Sequence, residues 1–276
     1  MRGVFERLRC ALRRLAPGRA APRGRPTAAA GRRAILRALP AASPGRRARA
    51  FGAAVLLALA HLLAGPGLAS AAGAAPTSDQ IRAWNREAFD AYEADEVERA
   101  LALYEQAARA GDASAAYNVA VIRIRGESTR PSLARALELL RASARAGFAP
   151  AQYMLGSLLD SGVHVRPSSA EATRWLQRAA EQGHPDAALA LGTQYYLGRG
   201  TKQDYARAAR WYERAAEAGD VAAQYLIASM YEKGLGVPRD LEAALTWYTA
   251  AARQGDVAAQ EMAKALAERL TRERGS

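Results

Sequence analysis

A stretch of sequence that recurs at a fixed interval constrains this chain more than any other feature. Five glycines are spaced 36 residues apart, and a similar run of residues follows each one: Gly111, Gly147, Gly183, Gly219 and Gly255. A period of this length is typical of stacked helical hairpins, each of which packs on its neighbours because it cannot bury its own apolar surface. The sequence therefore predicts an all-α fold, an α-α superhelix (solenoid) of helical hairpins.

Each period contains signals for two helices. A second column of glycines predicts the end of the first helix, because the residue after a helix C-terminus often adopts a positive φ: Gly126, Gly162, Gly198 and Gly234. A short loop then leads to residues whose side-chain oxygen can cap the second helix: Ser132, Ser168, Asp204 and Asp240. The second helix continues to the next glycine of the first column.

The apolar residues recur at helical spacing and predict the core. Adjacent columns of the second helix carry large side chains: Trp175, Trp211 and Trp247, then Leu176, Tyr212 and Tyr248. Small residues recur where helices must approach closely: Ala172, Ala208, Ala244, Gly156 and Gly192. Large side chains that face small ones fill the space between helices without voids.

These motifs resemble the Sel-one-like repeat, a relative of the tetratricopeptide repeat with longer loops. The segments 151–156, 211–216 and 231–240 carry the resemblance, whereas Arg123 stands where the family has tyrosine. The resemblance covers roughly residues 77–270 and divides the chain into successive units. We expect a first, tetratricopeptide-like unit at 77–110, four repeats, and a C-terminal capping helix with a tail at 255–276; the repeats are 111–146, 147–182, 183–218 and 219–254.

The residues before the repeats predict export. Residues 1–50 contain fourteen arginines and one acid, a composition typical of a disordered leader. The apolar run 51–65 follows, and then the small-residue site that ends at Ala71. This order is that of a secretory signal peptide, so we expect cleavage near Ala71 and a periplasmic or secreted product. The alternative is a protein anchored in the membrane by 51–65, and the true translation start within 1–50 stays open.

Composition and motifs argue against several classes of function. The leader holds the whole positive excess, and residues 51–276 have a net charge of −1, which argues against nucleic-acid binding. The single cysteine, Cys10, lies in the leader, and the spacing of His164 and His184 fits no metal site. The Gly-x-Gly loops follow helices instead of strands, so they predict turns and not phosphate sites. We therefore predict no catalytic residue, no cofactor and no metal.

The resemblance implies that the first helix of each unit lines a concave groove. By column, the predicted protein-binding residues are Tyr117, Tyr153, Ser157, Asp160, Thr193, Tyr196, Tyr225, Ser229 and Glu232. Tyrosine combines apolar area with a polar tip, which suits binding to a protein or peptide. The same tyrosines could instead only pack between repeats. Tyr196 and Glu232 lie outside the family's structural pattern and are the sharper candidates for binding.

The sequence thus predicts an exported, non-catalytic, monomeric scaffold or adaptor that binds a partner protein or peptide. The resemblance further implies a role in regulating an envelope signalling or assembly pathway. The alternative is a cell-wall-associated protein that binds or hydrolyses β-lactams or peptidoglycan, an activity with which some cysteine-rich relatives have been credited. The paired cysteines of those relatives and a Ser-x-x-Lys motif are absent from this sequence.

Overall fold

The computed structural model describes residues 75–130 and 132–275, and the chain forms eleven α-helices and no strand within these ranges. The predicted leader, the apolar run 51–65 and the cleavage site near Ala71 lie outside the described residues. No helix in the described ranges combines the length and the apolar character that a membrane crossing needs. The helices are α1 (Ser78–Glu93), α2 (Val97–Arg109), α3 (Ala113–Ile124), α4 (Leu133–Arg145), α5 (Ala149–Ser161), α6 (Ser169–Glu181), α7 (Pro185–Leu197), α8 (Tyr205–Glu217), α9 (Val221–Lys233), α10 (Leu241–Arg253) and α11 (Val257–Gly275).

The helices are arranged in chain order. Each packs mainly on the helix before it and the helix after it, from α1 to α11. Helices α3, α5, α7 and α9 are the first helices of their units, and α4, α6, α8 and α10 are the second helices. This linear arrangement confirms the predicted all-α solenoid.

Side-chain caps begin the second helices at the predicted residues. Ser132, Ser168, Asp204 and Asp240 each accept a hydrogen bond from a backbone N–H in the first turn of their helix. Replacing a cap of this kind by alanine typically costs about 1 kcal/mol of stability. The loop chemistry therefore contributes directly to the regular length of the units.

Two kinds of glycine shape the loops that follow the first helices. Gly162, Gly198 and Gly234 end α5, α7 and α9 in the left-handed conformation, as predicted. Gly200 and Gly236 have a different role, because their backbone lies directly against the second helix of the preceding unit. A Cβ on Gly200 would lie 2.2 Å from the Ser169 carbonyl oxygen.

The centre of the core is formed by the column that follows the tryptophans. Leu176, Tyr212 and Tyr248 are completely buried, and Tyr212 lies so close to Gly192 that a Cβ there would come within 2.7 Å of its ring. The tryptophans are only partly buried. Arginines cover the outer faces of two of their rings, with Arg178 4.6 Å from the ring of Trp175 and Arg214 4.9 Å from that of Trp211.

Candidate protein-binding surface

Four of the predicted groove residues are buried inside the array: Ser157, Thr193, Tyr225 and Ser229. The contacts of two of them show that this face of the first helix packs against the second helix of the same unit. The Thr193 hydroxyl lies 3.1 Å from the Tyr212 hydroxyl, and the Tyr225 ring packs edge-on against Tyr248 at 5.2 Å. The four side chains stabilise the hairpins and are not accessible to a partner protein in this structure.

The two acidic candidates also have partners within the chain. Arg199 lies 3.4 Å from an Asp160 carboxylate oxygen and donates a hydrogen bond to the Asp160 backbone carbonyl at 3.2 Å. Glu232 accepts a hydrogen bond from the Tyr248 hydroxyl at 3.1 Å, and Arg269 of α11 lies 3.9 Å from its other oxygen. A binding partner would have to compete with these intramolecular contacts.

In three units the end of the first helix is associated with the residue 39 positions later in the chain, in the loop of the next unit. Asp160 and Arg199 form the ionic example. Tyr196 and Leu235 belong to one apolar cluster, and Ile124 and Val163 belong to another. In these three units, the residue at the end of the first helix and the residue 39 positions later are therefore either both apolar or an acid and an arginine. The spacing of 39 is the sequence signal that would have separated these contact residues from surface residues.

Three tyrosines of the predicted set remain partly accessible: Tyr117, Tyr153 and Tyr196. Each packs against a second ring. Tyr117 lies edge-on to Phe148 at 5.4 Å, Tyr153 stacks on His184 at 4.7 Å, and Tyr196 lies edge-on to Tyr205 at 5.2 Å. These six residues are called the aromatic pairs below. Burial raises the pKa of the Tyr153 hydroxyl far above its usual value, so this group stays neutral at physiological pH.

Sequence reasoning missed Phe148 and His184. Both occupy the N-cap position of a first helix, where three other units have an aspartate that accepts a backbone hydrogen bond: Asp112, Asp220 and Asp256. Phe148 makes no such bond, and His184 accepts one through Nδ1 at 3.4 Å. The replacement of a capping aspartate by a ring was the available signal.

The described residues offer no arrangement for metal binding, since no group of three or more His, Cys, Asp or Glu side chains among them could hold an ion. His164 is exposed in the loop after α5, and His184 is engaged with Tyr153 and the start of α7. The accessible part of the predicted surface consists of the aromatic pairs. Their rings can pack against apolar groups, and the tyrosine hydroxyls can donate and accept hydrogen bonds.

Comparison with known proteins supports the resemblance predicted from the sequence. A Sel1 repeat protein from Oxalobacter formigenes is 31% identical to the chain with a TM-score of 0.58, over 68% of this chain and 77% of the other. No curated protein sequence matches the chain. Five segments match the profile of the Sel1 repeat: 92–112, 113–148, 149–184, 185–220 and 221–256.

A second similar structure is that of a protective antigen present in uropathogenic Escherichia coli strains, which displays an SLR fold. It is 35% identical with a TM-score of 0.55, and the similarity covers 58% of this chain and 34% of that one. The chain thus spans about a third of the length of the Escherichia coli protein.

Proposed function

The chain belongs to the Sel1 repeat family, and we propose that it is an exported, non-catalytic scaffold that binds a partner protein or peptide. Proteins built from this repeat are generally helical scaffolds for protein interaction. The observation that carries the proposal is the set of aromatic pairs, whose tyrosines Tyr117, Tyr153 and Tyr196 lie on the successive first helices α3, α5 and α7 and are only partly buried. We propose that the protein acts as a monomer within an envelope signalling or assembly pathway.

The chemistry of the aromatic pairs fits a polypeptide ligand. A tyrosine ring buries a large apolar area with only two side-chain torsions to fix, and its hydroxyl can bond to a peptide backbone. Interfaces gain most of their energy from a few such anchors. Tyr153 and Tyr196 are the anchors we propose, because each lies on a rigid helix and is held in place by a neighbouring ring.

Capture of the partner from an envelope extract tests this role. Residues 72–276 are immobilised, and the retained proteins are identified by mass spectrometry and compared with those retained by the Tyr153→Ala/Tyr196→Ala variant. We expect the specific partner to be lost, at a cost of about 2 kcal/mol or more for each anchor. Leu133→Ala is the matched control, because Leu133 is a 40% exposed apolar residue on a second helix. A partner retained equally by all three proteins would contradict the proposal.

Export rests on the sequence of the first 71 residues and has its own test. The protein is expressed with its full leader, the cells are fractionated, and the N-terminus of the product is determined. We expect a product in the periplasm or the medium that begins within a residue or two of position 72. A full-length product in the membrane fraction would instead support an anchor formed by 51–65.

A further inference from the structure

The loops between the two helices of each unit carry a row of cations. Arg130, Arg166 and Lys202 occur one period apart, and Arg239 lies one residue beyond the equivalent position in the next unit. All four side chains are exposed. Within the part of the chain that the structure describes, no carboxylate forms an ion pair within 4.0 Å of any of them. We call these four residues the loop cations.

The acidic side chains of the same loops are already engaged. Glu127 accepts a hydrogen bond from the Tyr92 hydroxyl at 2.7 Å. Asp204 caps α8 and lies 3.3 Å from Arg207, and Asp240 caps α10 through two backbone N–H groups. The negative charges therefore support the helices. Among the loop cations, Arg239 donates a hydrogen bond through Nε to the Glu232 backbone carbonyl at 3.2 Å, an uncharged acceptor.

The loops at the opposite end of the hairpins carry no lysine or arginine. Short loops between antiparallel helices place the loops within units at one end of the array and the loops between units at the other end. The loops between units contain three aspartates and neither lysine nor arginine: 110–112, 146–148, 182–184, 218–220 and 254–256. Arginines also lie at that end, in the last turns of the second helices, so the two ends differ in the charge of their loops and not in the presence of cations.

Apolar side chains accompany the cations at this end. Val163 and Val165 precede Arg166, and Leu235 and Val237 precede Arg239; all four are only partly buried. Leu197, at the end of α7, is 36% exposed. The surface thus alternates positive charge with apolar area from one unit to the next, which is the pattern of a polypeptide interface and not of a uniformly charged one.

We propose that the loop cations bind an extended acidic polypeptide segment, with one carboxylate for each unit. Successive units are two helices apart and packed helices lie roughly 10 Å from each other, so equivalent loops are separated by roughly 10–20 Å. An extended chain advances about 3.3 Å per residue, so the acidic residues should recur at about every third to sixth position. This surface is distinct from the pairs Tyr117–Phe148 and Tyr153–His184, whereas Tyr196 and Tyr205 flank the loop that contains Lys202. The inference shares one premise with the proposed scaffold role, namely that the partner is a polypeptide.

A labelled peptide provides the direct test. Residues 72–276 are titrated into a twelve-residue peptide with glutamate at every third position and valine or serine between, and binding is followed by fluorescence anisotropy at two salt concentrations. The Arg166→Glu/Lys202→Glu variant should bind roughly tenfold or more weakly, and raised salt should weaken the unmodified protein in the same direction. Arg174→Glu/Arg210→Glu is the matched control, because it reverses two exposed charges on α6 and α8 and should bind within about twofold of the unmodified protein.

Several results would overturn the inference. These are absence of peptide binding at low salt, an equal loss in the control variant, or binding to vesicles rich in anionic lipid without binding to the peptide. Sedimentation showing a salt-sensitive dimer that Arg166→Glu/Lys202→Glu dissociates would assign the loop cations to a second copy of the chain. The Tyr153→Ala variant, altered near the start of α5 and away from the loop cations, should bind the peptide normally, so this test and the test of the proposed function can fail separately.

Discussion

Units 147–182 and 183–218 have the same helices and loop lengths but fill equivalent positions differently. One loop position is a histidine in the first unit and, in the second, a glycine that lies against the preceding unit; one core position is leucine in the first and glutamine in the second. The equivalent residues are His164 and Gly200, Leu158 and Gln194, Gln152 and Ala188, and Phe148 and His184. The backbone arrangement tolerates all of these choices, so the period sets the fold, while the contacts between units are set locally.

The glutamines show how such positions change together. The buried Gln152 donates to the Ala144 carbonyl at 3.1 Å and accepts from Gln182 Nε2 at 2.7 Å. Gln224 and Gln254 repeat this pair with a distance of 2.9 Å. In unit 183–218 alanine occupies both positions. At this pair of positions a buried amide is thus present only where its partner is also present, because an unpaired buried amide is costly.

The largest effect is expected at Gly200, which takes the place of His164 and lies directly against the preceding unit. Its φ is +70°, and a Cβ would lie 2.2 Å from a backbone oxygen of the preceding unit. We expect Gly200→Ala to lower the free energy of unfolding by about 3–5 kcal/mol, measured by urea denaturation. Gly219→Ala is the control, because Gly219 has a φ of +93° but no atom within 4 Å of a Cβ, and it should cost only about 1–2 kcal/mol. Equal losses would show that contact between the units is not the cause.

Removing one member of the glutamine pair should have the next largest effect. Gln152→Ala deletes two hydrogen bonds and leaves the Ala144 carbonyl and Gln182 without this partner. We expect a loss of about 2–3 kcal/mol. The double variant Gln152→Ala/Gln182→Ala, which copies unit 183–218, should be more stable than the sum of the single losses predicts, with a coupling of about 1 kcal/mol. If the losses of the two single variants simply added in the double variant, Gln152 and Gln182 would not be energetically coupled.

Gln194 should be a stabilising target. It is 2% exposed, and its Oε1 has no hydrogen-bond partner among the described residues. The equivalent positions in the neighbouring units are Leu158 and Met230, both buried. We expect Gln194→Leu to raise the free energy of unfolding by about 1–2 kcal/mol, because it removes an unpaired polar atom without a large change in volume. The reverse change, Leu158→Gln, should destabilise the protein, and a neutral result for both would contradict this account.

His184 should make unit 183–218 sensitive to acid. Burial lowers the pKa of His184, and Asp186 partly opposes this shift. Its Nδ1 must also stay unprotonated to accept from the Ala187 N–H. Above pH 6.5 both the folded and the unfolded forms are neutral, so the group contributes nothing; as the pH falls below about 6.5 the unfolded chain takes up the proton first, and stability is lost.

His184→Phe, which copies Phe148, isolates this contribution. The measurement is urea denaturation at several values between pH 7.5 and pH 5.5. The slope of stability against pH should be smaller in the variant than in the original chain, by at most about 1.4 kcal/mol per pH unit for a single proton. Identical slopes would mean that His184 takes up a proton as readily in the folded protein as in the unfolded one.

The sequence was sufficient for the architecture, because each helix is bounded by local signals. The caps Ser168 and Asp204 and the left-handed Gly162 and Gly198 act within a few residues of their own position. The groove prediction was less successful, because exposure depends on contacts between residues far apart in the sequence. Thr193 is buried against Tyr212, 19 residues away, and Asp160 is held by Arg199, 39 residues away.

The smallest effect is expected at His164, the residue of unit 147–182 that is equivalent to Gly200 in unit 183–218. His164 has a φ of +65° and is exposed, in the place where Gly200 and Gly236 lie against the preceding helix. Because a non-glycine residue is strained in this region, we expect His164→Gly to raise the free energy of unfolding by about 0.5–1 kcal/mol. His164→Ala keeps the Cβ and should give no gain. If both variants were equally stabilised, the benefit would come from loss of the imidazole, and the loop in unit 147–182 would not be strained relative to the loop in unit 183–218.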